Sequence, residues 1–169
     1  LAPYRMMLNT RLDTVLGTTT GVFERGNNIE RLGEVPLGNL VADAMRSRYG
    51  TQLAFTNGGG LRAPLPSSYQ PADTALRRSS AGYAAGPPYD LVLGDAYAVL
   101  PFGNAVITRT ITGVQLWQAL EHAVGALPGP NGRFAQISGF QYTYTTSAAV
   151  GSRVRSVTLD DGTEVESRA

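Results

Sequence analysis

Gln52-Leu53-Ala54-Phe55-Thr56, followed by Asn57-Gly58-Gly59-Gly60-Leu61-Arg62, is the stretch on which the reading of this chain turns. The first five residues read as a short buried strand. Three consecutive glycines at its end let the backbone approach a ligand closely and take a positive φ where a turn requires it. No Gly-Lys-Ser/Thr follows, so this is not a P-loop, and the spacing is not that of a dinucleotide fingerprint. A bare triple glycine reads first as a tight turn. Its neighbours raise it to a candidate site: Asn57 closes the strand and Arg62 lies two residues past the glycines. An amide, exposed N–H groups and a guanidinium at one strand terminus are the parts of an anion or nucleotide site.

Upstream, Leu37, Leu40, Val41, Ala44 and Met45 recur at helical spacing and predict an amphipathic helix over 37–49. Residues 12–23 are rich in threonine and valine and read as a strand interrupted by glycine. Downstream, Pro64 to Pro88 carries five prolines and reads as a long surface loop inserted at about 64–90. Leu91–Leu100 leads into Pro101-Phe102-Gly103-Asn104, and Ala105–Ile111 alternates like a strand. Phe102 is held between residues that stop regular structure. It is therefore either core filler or a platform for a base. Thr112 and Gln115 form a capping box for a second helix with the stripe Leu116, Trp117, Leu120, Ala123 and Val124. Phe140, Tyr142 and Tyr144 alternate as a half-buried strand, and Arg153–Val165 reads as a hairpin about Asp160-Asp161-Gly162. The hairpin's return strand stops at Ala169, so a fragment is expected: one domain over 1–169, incomplete at its C-terminal end.

Composition removes several functions. Of 169 residues 43% are hydrophobic and 16% charged, which gives enough apolar surface for a core and argues against disorder. The net charge of +1 offers no field for a nucleic acid polymer. No apolar run is long enough for a membrane span. With no cysteine and a single histidine, His122, thiolate and histidine-rich metal sites are excluded and no metal ligands are expected. No carboxylates form an obvious acid/base pair, so no catalytic residue is assigned. All 14 basic residues are arginine, so a bound phosphate must be gripped by planar forks. Arg31, beside Glu30 and Glu34, sits before the first helix and is either a surface ion-pair partner or a second cationic arm.

Five motifs in order carry a family resemblance. They are Leu37-Gly38-Asn39-Leu40-Val41-Ala42-Asp43-Ala44-Met45, the Asn57–Arg62 stretch, Gly94-Asp95 with Val99-Leu100-Pro101-Phe102-Gly103-Asn104, Thr112-Gly113-Val114-Gln115-Leu116 with Leu120-Glu121, and Gly132–Phe140. Together, over roughly residues 29–165, the chain resembles the C-terminal domain of the 5′-nucleotidase and UDP-sugar hydrolase family. The resemblance implies an α+β fold of mixed sheets with packed helices, in roughly α/β/β/α layers. It implies binding of a nucleotide or nucleoside through Arg31, Asn57, Gly59, Gly60, Arg62 and Phe102. Hydrolysis would fall to an N-terminal metallophosphatase domain holding two divalent metal ions, in an extracellular or periplasmic setting. Family members sandwich the base between two rings, and nothing after Val165 matches the second.

Overall fold

A computed structural model describes residues 10–25 and 28–167. The elements are β1 (Val15–Thr19), a 3-10 turn (Ile29–Arg31), α1 (Pro36–Tyr49), β2 (Ala54–Asn57), a second 3-10 turn (Gly58–Gly60), β3 (Arg77–Arg78), β4 (Ala84–Ala85), β5 (Tyr89–Val92), α2 (Leu93–Val99), α3 (Gly113–Val124), β6 (Ala135–Ser138), β7 (Phe140–Tyr144) and β8 (Val154–Leu159). The strands form two-stranded sheets: β1–β5, β2–β6 and β7–β8 are antiparallel, and β3–β4 is parallel. The fold is α+β. The described residues divide into two compact units, one of residues 10–25 and 62–103, the other of 28–61 and 104–167.

In the first unit β1 pairs with β5, with a register irregularity between Val15 and Gly17. The 64–90 stretch is not the surface loop expected from its prolines. It carries β3 and β4, and Arg78 within it is 3% exposed. Burial of that cation follows from its partner, because Asp95 in the first turn of α2 is fully buried beside it. The two form a forked pair, Nη1 to Oδ2 at 2.6 Å and Nη2 to Oδ1 at 2.7 Å. Asp95 also accepts from Ser67 N and Oγ and from Val92 N, while Arg78 donates to the carbonyls of Ser67, Tyr69 and Asp90. A charge withdrawn from water is tolerable only when paired and hydrogen bonded in this way. The pair ties the loop to α2 and holds that helix in place.

The second unit holds the larger apolar core. Leu116, Leu120, Ala123 and Val124 of α3 pack with Phe134, Ile137, Phe140, Val154 and Val157. Thr112 caps α3, its hydroxyl accepting from Gln115 N while the Gln115 side chain accepts from Thr112 N. At the other end of the helix the Arg153 guanidinium donates to the Val124 and Leu127 carbonyls, the first of which is a terminal carbonyl orphan of the helix. Phe140, Tyr142 and Tyr144 do face one side of β7, with Tyr142 and Tyr144 stacked at 5.7 Å.

Three local expectations need correction. In α1 the buried residues are Leu37, Gly38, Val41 and Ala42, whereas Leu40 is 40% exposed. The helix rolls toward its small residues because Gly38 lies on the Gln136 side chain, where a Cβ would overlap the amide. Ala105–Ile111 forms no strand among the described residues, although its side chains alternate, and it is exposed over nearly its whole length. β2, read as buried, is half-open, with Phe55 46% exposed.

Candidate functional site

Four of the six residues picked from sequence gather in the second unit. β2 delivers Asn57 to the start of the triple-glycine turn, where its Nδ2 donates to the Gly132 carbonyl at 3.0 Å. Gly58 N donates to Phe134 O and Gly59 N to Gly132 O. A Cβ on Gly58 would overlap the Glu30 carbonyl, and one on Gly59 would fall 2.9 Å from the Gly132 Cα. Gly58 and Gly59 are therefore required by backbone contact on two sides, whereas a Cβ on Gly60 would meet only ordinary contact. None of the three has a positive φ, so that part of the reading does not hold. The 3-10 turn carrying Arg31 packs on this triple-glycine turn, and the Arg31 carbonyl accepts from Asn131 N at 3.1 Å. Arg31 Nε lies 3.6 Å from Glu30 Oε1, the latter on a fully buried side chain.

The other two residues meet in the first unit. Arg62 N donates to the carbonyl of Val99, the last residue of α2, at 2.9 Å. Three residues beyond Val99 the chain presents Phe102, and the Arg62 guanidinium carbon sits 5.8 Å from the centre of that ring, within cation–π range. Phe102 remains 58% exposed. A large aromatic ring left in solvent beside a cation is an arrangement suited to stacking a planar ligand next to an anion.

Sequence reasoning missed the supports. Gln136 is fully buried. Its Oε1 accepts from Val35 N, and its Nε2 donates to the carbonyls of Glu30 and Gly33, so one side chain fixes both sides of Arg31 to β6. Gly132 floors the Asn57–Gly59 corner. Asp95 anchors the helix that leads to Phe102. Burial pushes the Asp95 carboxyl up, but hydrogen bonds from Arg78, Val92 and Ser67 outweigh it and hold the group below the usual carboxylate range. A buried glutamine and a lone aspartate give no pattern in sequence.

Among the described residues, no three His, Cys, Asp or Glu side chains come together as a possible metal site. Asp90 and Asp95 are engaged by Arg77 and Arg78. No described helix is long and apolar enough to cross a membrane.

The α+β fold thus carries two clusters of candidate ligand-binding residues, the arginine-backed ring in the first unit and the glycine-floored corner in the second. Residues 15–169 match the family "5′-nucleotidase, C-terminal domain", and the chain belongs to that family. It is similar to the trifunctional nucleotide phosphoesterase of Bacillus subtilis, with 31% identity over 77% of this chain and 8% of that protein. It is also similar to a snake venom 5′-nucleotidase from Gloydius brevicauda, with 31% identity over 76% of this chain and 21% of that one. Among solved structures, a 5′-nucleotidase precursor from Thermus thermophilus superposes with a TM-score of 0.77 and 28% identity, covering 99% of this chain and 30% of that one. The chain thus spans less than a third of each of these relatives.

Proposed function

We propose that this chain is the nucleotide-binding domain of a metal-dependent phosphohydrolase of the 5′-nucleotidase type. It would position a nucleotide for hydrolysis by a separate metallophosphatase domain of the same protein, where two divalent metals supply the activated water. The observation that carries this reading is the Arg62 guanidinium over the exposed Phe102 ring. The exposed ring offers a surface on which a base can stack, beside a guanidinium whose charge suits ribose or phosphate oxygens. Within the second unit, Arg31, Asn57, Gly59 and Gly60 supply a cation, an amide and close backbone approach of their own.

Titration calorimetry with AMP and adenosine tests this. Phe102→Ala should weaken both ligands by about 1–3 kcal/mol, the range for one base stacked on one ring. Arg62→Ala should weaken AMP more than adenosine, because only AMP carries the anion. Absence of binding by the folded wild-type chain would instead favour a non-catalytic interaction module. A second expected result concerns chemistry. The purified chain should release no phosphate from AMP, with or without added divalent metal, because this reading places the hydrolytic centre in the separate metallophosphatase domain. Release that persists in chelator would overturn the division of labour.

The B. subtilis relative is named a trifunctional nucleotide phosphoesterase, which favours a parent enzyme acting on more than one phosphoester; cyclic nucleotides and UDP-sugars are the alternative substrates of this proposal. Relatives described as a venom enzyme and a Listeria cell wall protein support an extracellular or periplasmic setting.

A further inference from the structure

Three steps in the chain set an asparagine or aspartate directly before glycine: Asn57-Gly58, Asn131-Gly132 and Asp161-Gly162. At such a step the glycine nitrogen can attack the side-chain carbonyl carbon, because glycine has no Cβ to keep the two apart. The attack needs a glycine N–H that is not held elsewhere. Gly58 N donates to Phe134 O at 2.8 Å, and Gly162 N to Leu159 O at 2.9 Å. Asn57 is tied down further by its own Nδ2, which donates to the Gly132 carbonyl. Gly132 N, by contrast, has no acceptor among the described residues. Asn131 is exposed, and its Oδ1 accepts from Arg133 N at 3.1 Å. That bond folds the carboxamide back over the Gly132 peptide, as in an Asx turn.

We infer that Asn131 is a site of spontaneous modification, converting to aspartate and isoaspartate at a step the fold leaves open here and blocks at Asn57. Gly132 N loses its proton to solvent base and bonds to Asn131 Cγ. The Arg133 N–H faces the oxygen on which negative charge then develops, as an oxyanion donor does. The Cγ–Nδ2 bond breaks, and the amide nitrogen leaves as ammonia with a proton from water. Water then opens the cyclic imide at either carbonyl, giving aspartate or isoaspartate. Isoaspartate routes the main chain through Cβ and lengthens it by a methylene. Asn131 N donates to Arg31 O at 3.1 Å, and Asn131 O accepts from Phe134 N at 3.1 Å. Gly132 O accepts from Asn57 Nδ2 at 3.0 Å and from Gly59 N at 2.9 Å. A longer chain between these groups cannot keep all of those bonds. The conversion therefore loosens the corner that carries Arg31, Asn57 and Gly59. Its effect on a ligand rests on the nucleotide reading; the chemistry does not.

The test is incubation of the folded chain in mildly alkaline buffer, followed by tryptic mapping. Cleavage at arginine puts Asn131 in peptide 110–133 and Asn57 in peptide 49–62. The amide-to-acid mass change should arise at least about tenfold faster at Asn131 than at Asn57, whose glycine N–H is held in a bond that must open first. In urea the two rates should converge. Isoaspartate in 110–133, scored by enzymatic methylation of its free carboxylate, should accompany the change. Hydrogen exchange at Gly59 N should be about tenfold or more faster in the converted fraction. Asn131→Ser keeps an oxygen for Arg133 N but has no carboxamide, so its Gly59 exchange should not change through the same incubation. Conversion at Asn57 as fast as at Asn131 in the folded chain overturns the proposal. So does an absence of isoaspartate in 110–133, unchanged Gly59 exchange in the converted fraction, or faster Gly59 exchange in incubated Asn131→Ser. Selective conversion with faster Gly59 exchange supports it even in a chain that binds no AMP, a result that would count against the nucleotide reading alone.

Discussion

Asp95→Ala should lower the stability of the chain by about 3–5 kcal/mol, the range for stripping one partner from a buried ion pair. Arg78 would stay 3% exposed with no carboxylate facing it, and Ser67 N and Val92 N would lose their acceptor. Urea unfolding followed by circular dichroism measures this. A loss below about 1 kcal/mol, the scale of a surface pair, would mean that water reaches the guanidinium and that the pair is not a dry anchor. The pH dependence has a fixed sign. The folded carboxyl titrates below its unfolded value of about 3.9, so its contribution is complete above that pH and is lost as pH falls through the folded value. The wild type should therefore lose stability in acid more steeply than Asp95→Ala. A functional consequence follows if Phe102 binds the base. The helix anchored by Asp95 ends at Val99, whose carbonyl holds Arg62 N, so the variant should also bind AMP less tightly.

Much of this architecture is legible from large apolar residues at regular spacing. Leu116, Leu120, Ala123 and Val124 announce α3, and its cap is written in Thr112 and Gln115. The stripe of α1 is misread by one position, because periodicity weighs bulky residues, and this helix packs through Gly38 and Ala42. Small residues mark close approach, and hydropathy does not register them. The 64–90 stretch fails for a related reason. Its prolines and serines look like a solvated loop, yet Arg78 is drawn inward by an aspartate 17 residues away in sequence. Ala105–Ile111 has strand composition without a strand, because a ladder needs a partner edge and composition cannot supply one. At the candidate site, Asn57, the glycines, Arg62 and Phe102 could be named because each is chemically conspicuous. What sequence could not show is why Gly58 and Gly59 must be glycine: the answer is the Glu30 carbonyl on one side and Gly132, far along the chain, on the other.

Gln136→Leu should be the most damaging change near Arg31, although Gln136 has no chemistry of its own. Leucine is of similar size, so the site would stay filled while three hydrogen bonds disappear, leaving Val35 N, Glu30 O and Gly33 O without their partner. Each buried group left unsatisfied costs about 1–3 kcal/mol, so a combined loss of at least about 3 kcal/mol is expected in urea unfolding. Gln136→Glu separates hydrogen bonding from packing. The carboxylate could still accept from Val35 N, but it would point an acceptor at two carbonyls beside the buried Glu30, and it should be comparably destabilised at neutral pH. Acid should restore part of that loss, since a protonated carboxyl can donate once. Leucine at the same position should show no such recovery. If both variants lost less than about 1 kcal/mol, the buried amide would be a passenger. If instead they behave as expected and AMP affinity falls with stability held by mild conditions, then the placement of Arg31 depends on a side chain that never touches the ligand. The glycine corner would be affected in the same way, because Gly58 rests on the very carbonyl that Gln136 Nε2 holds.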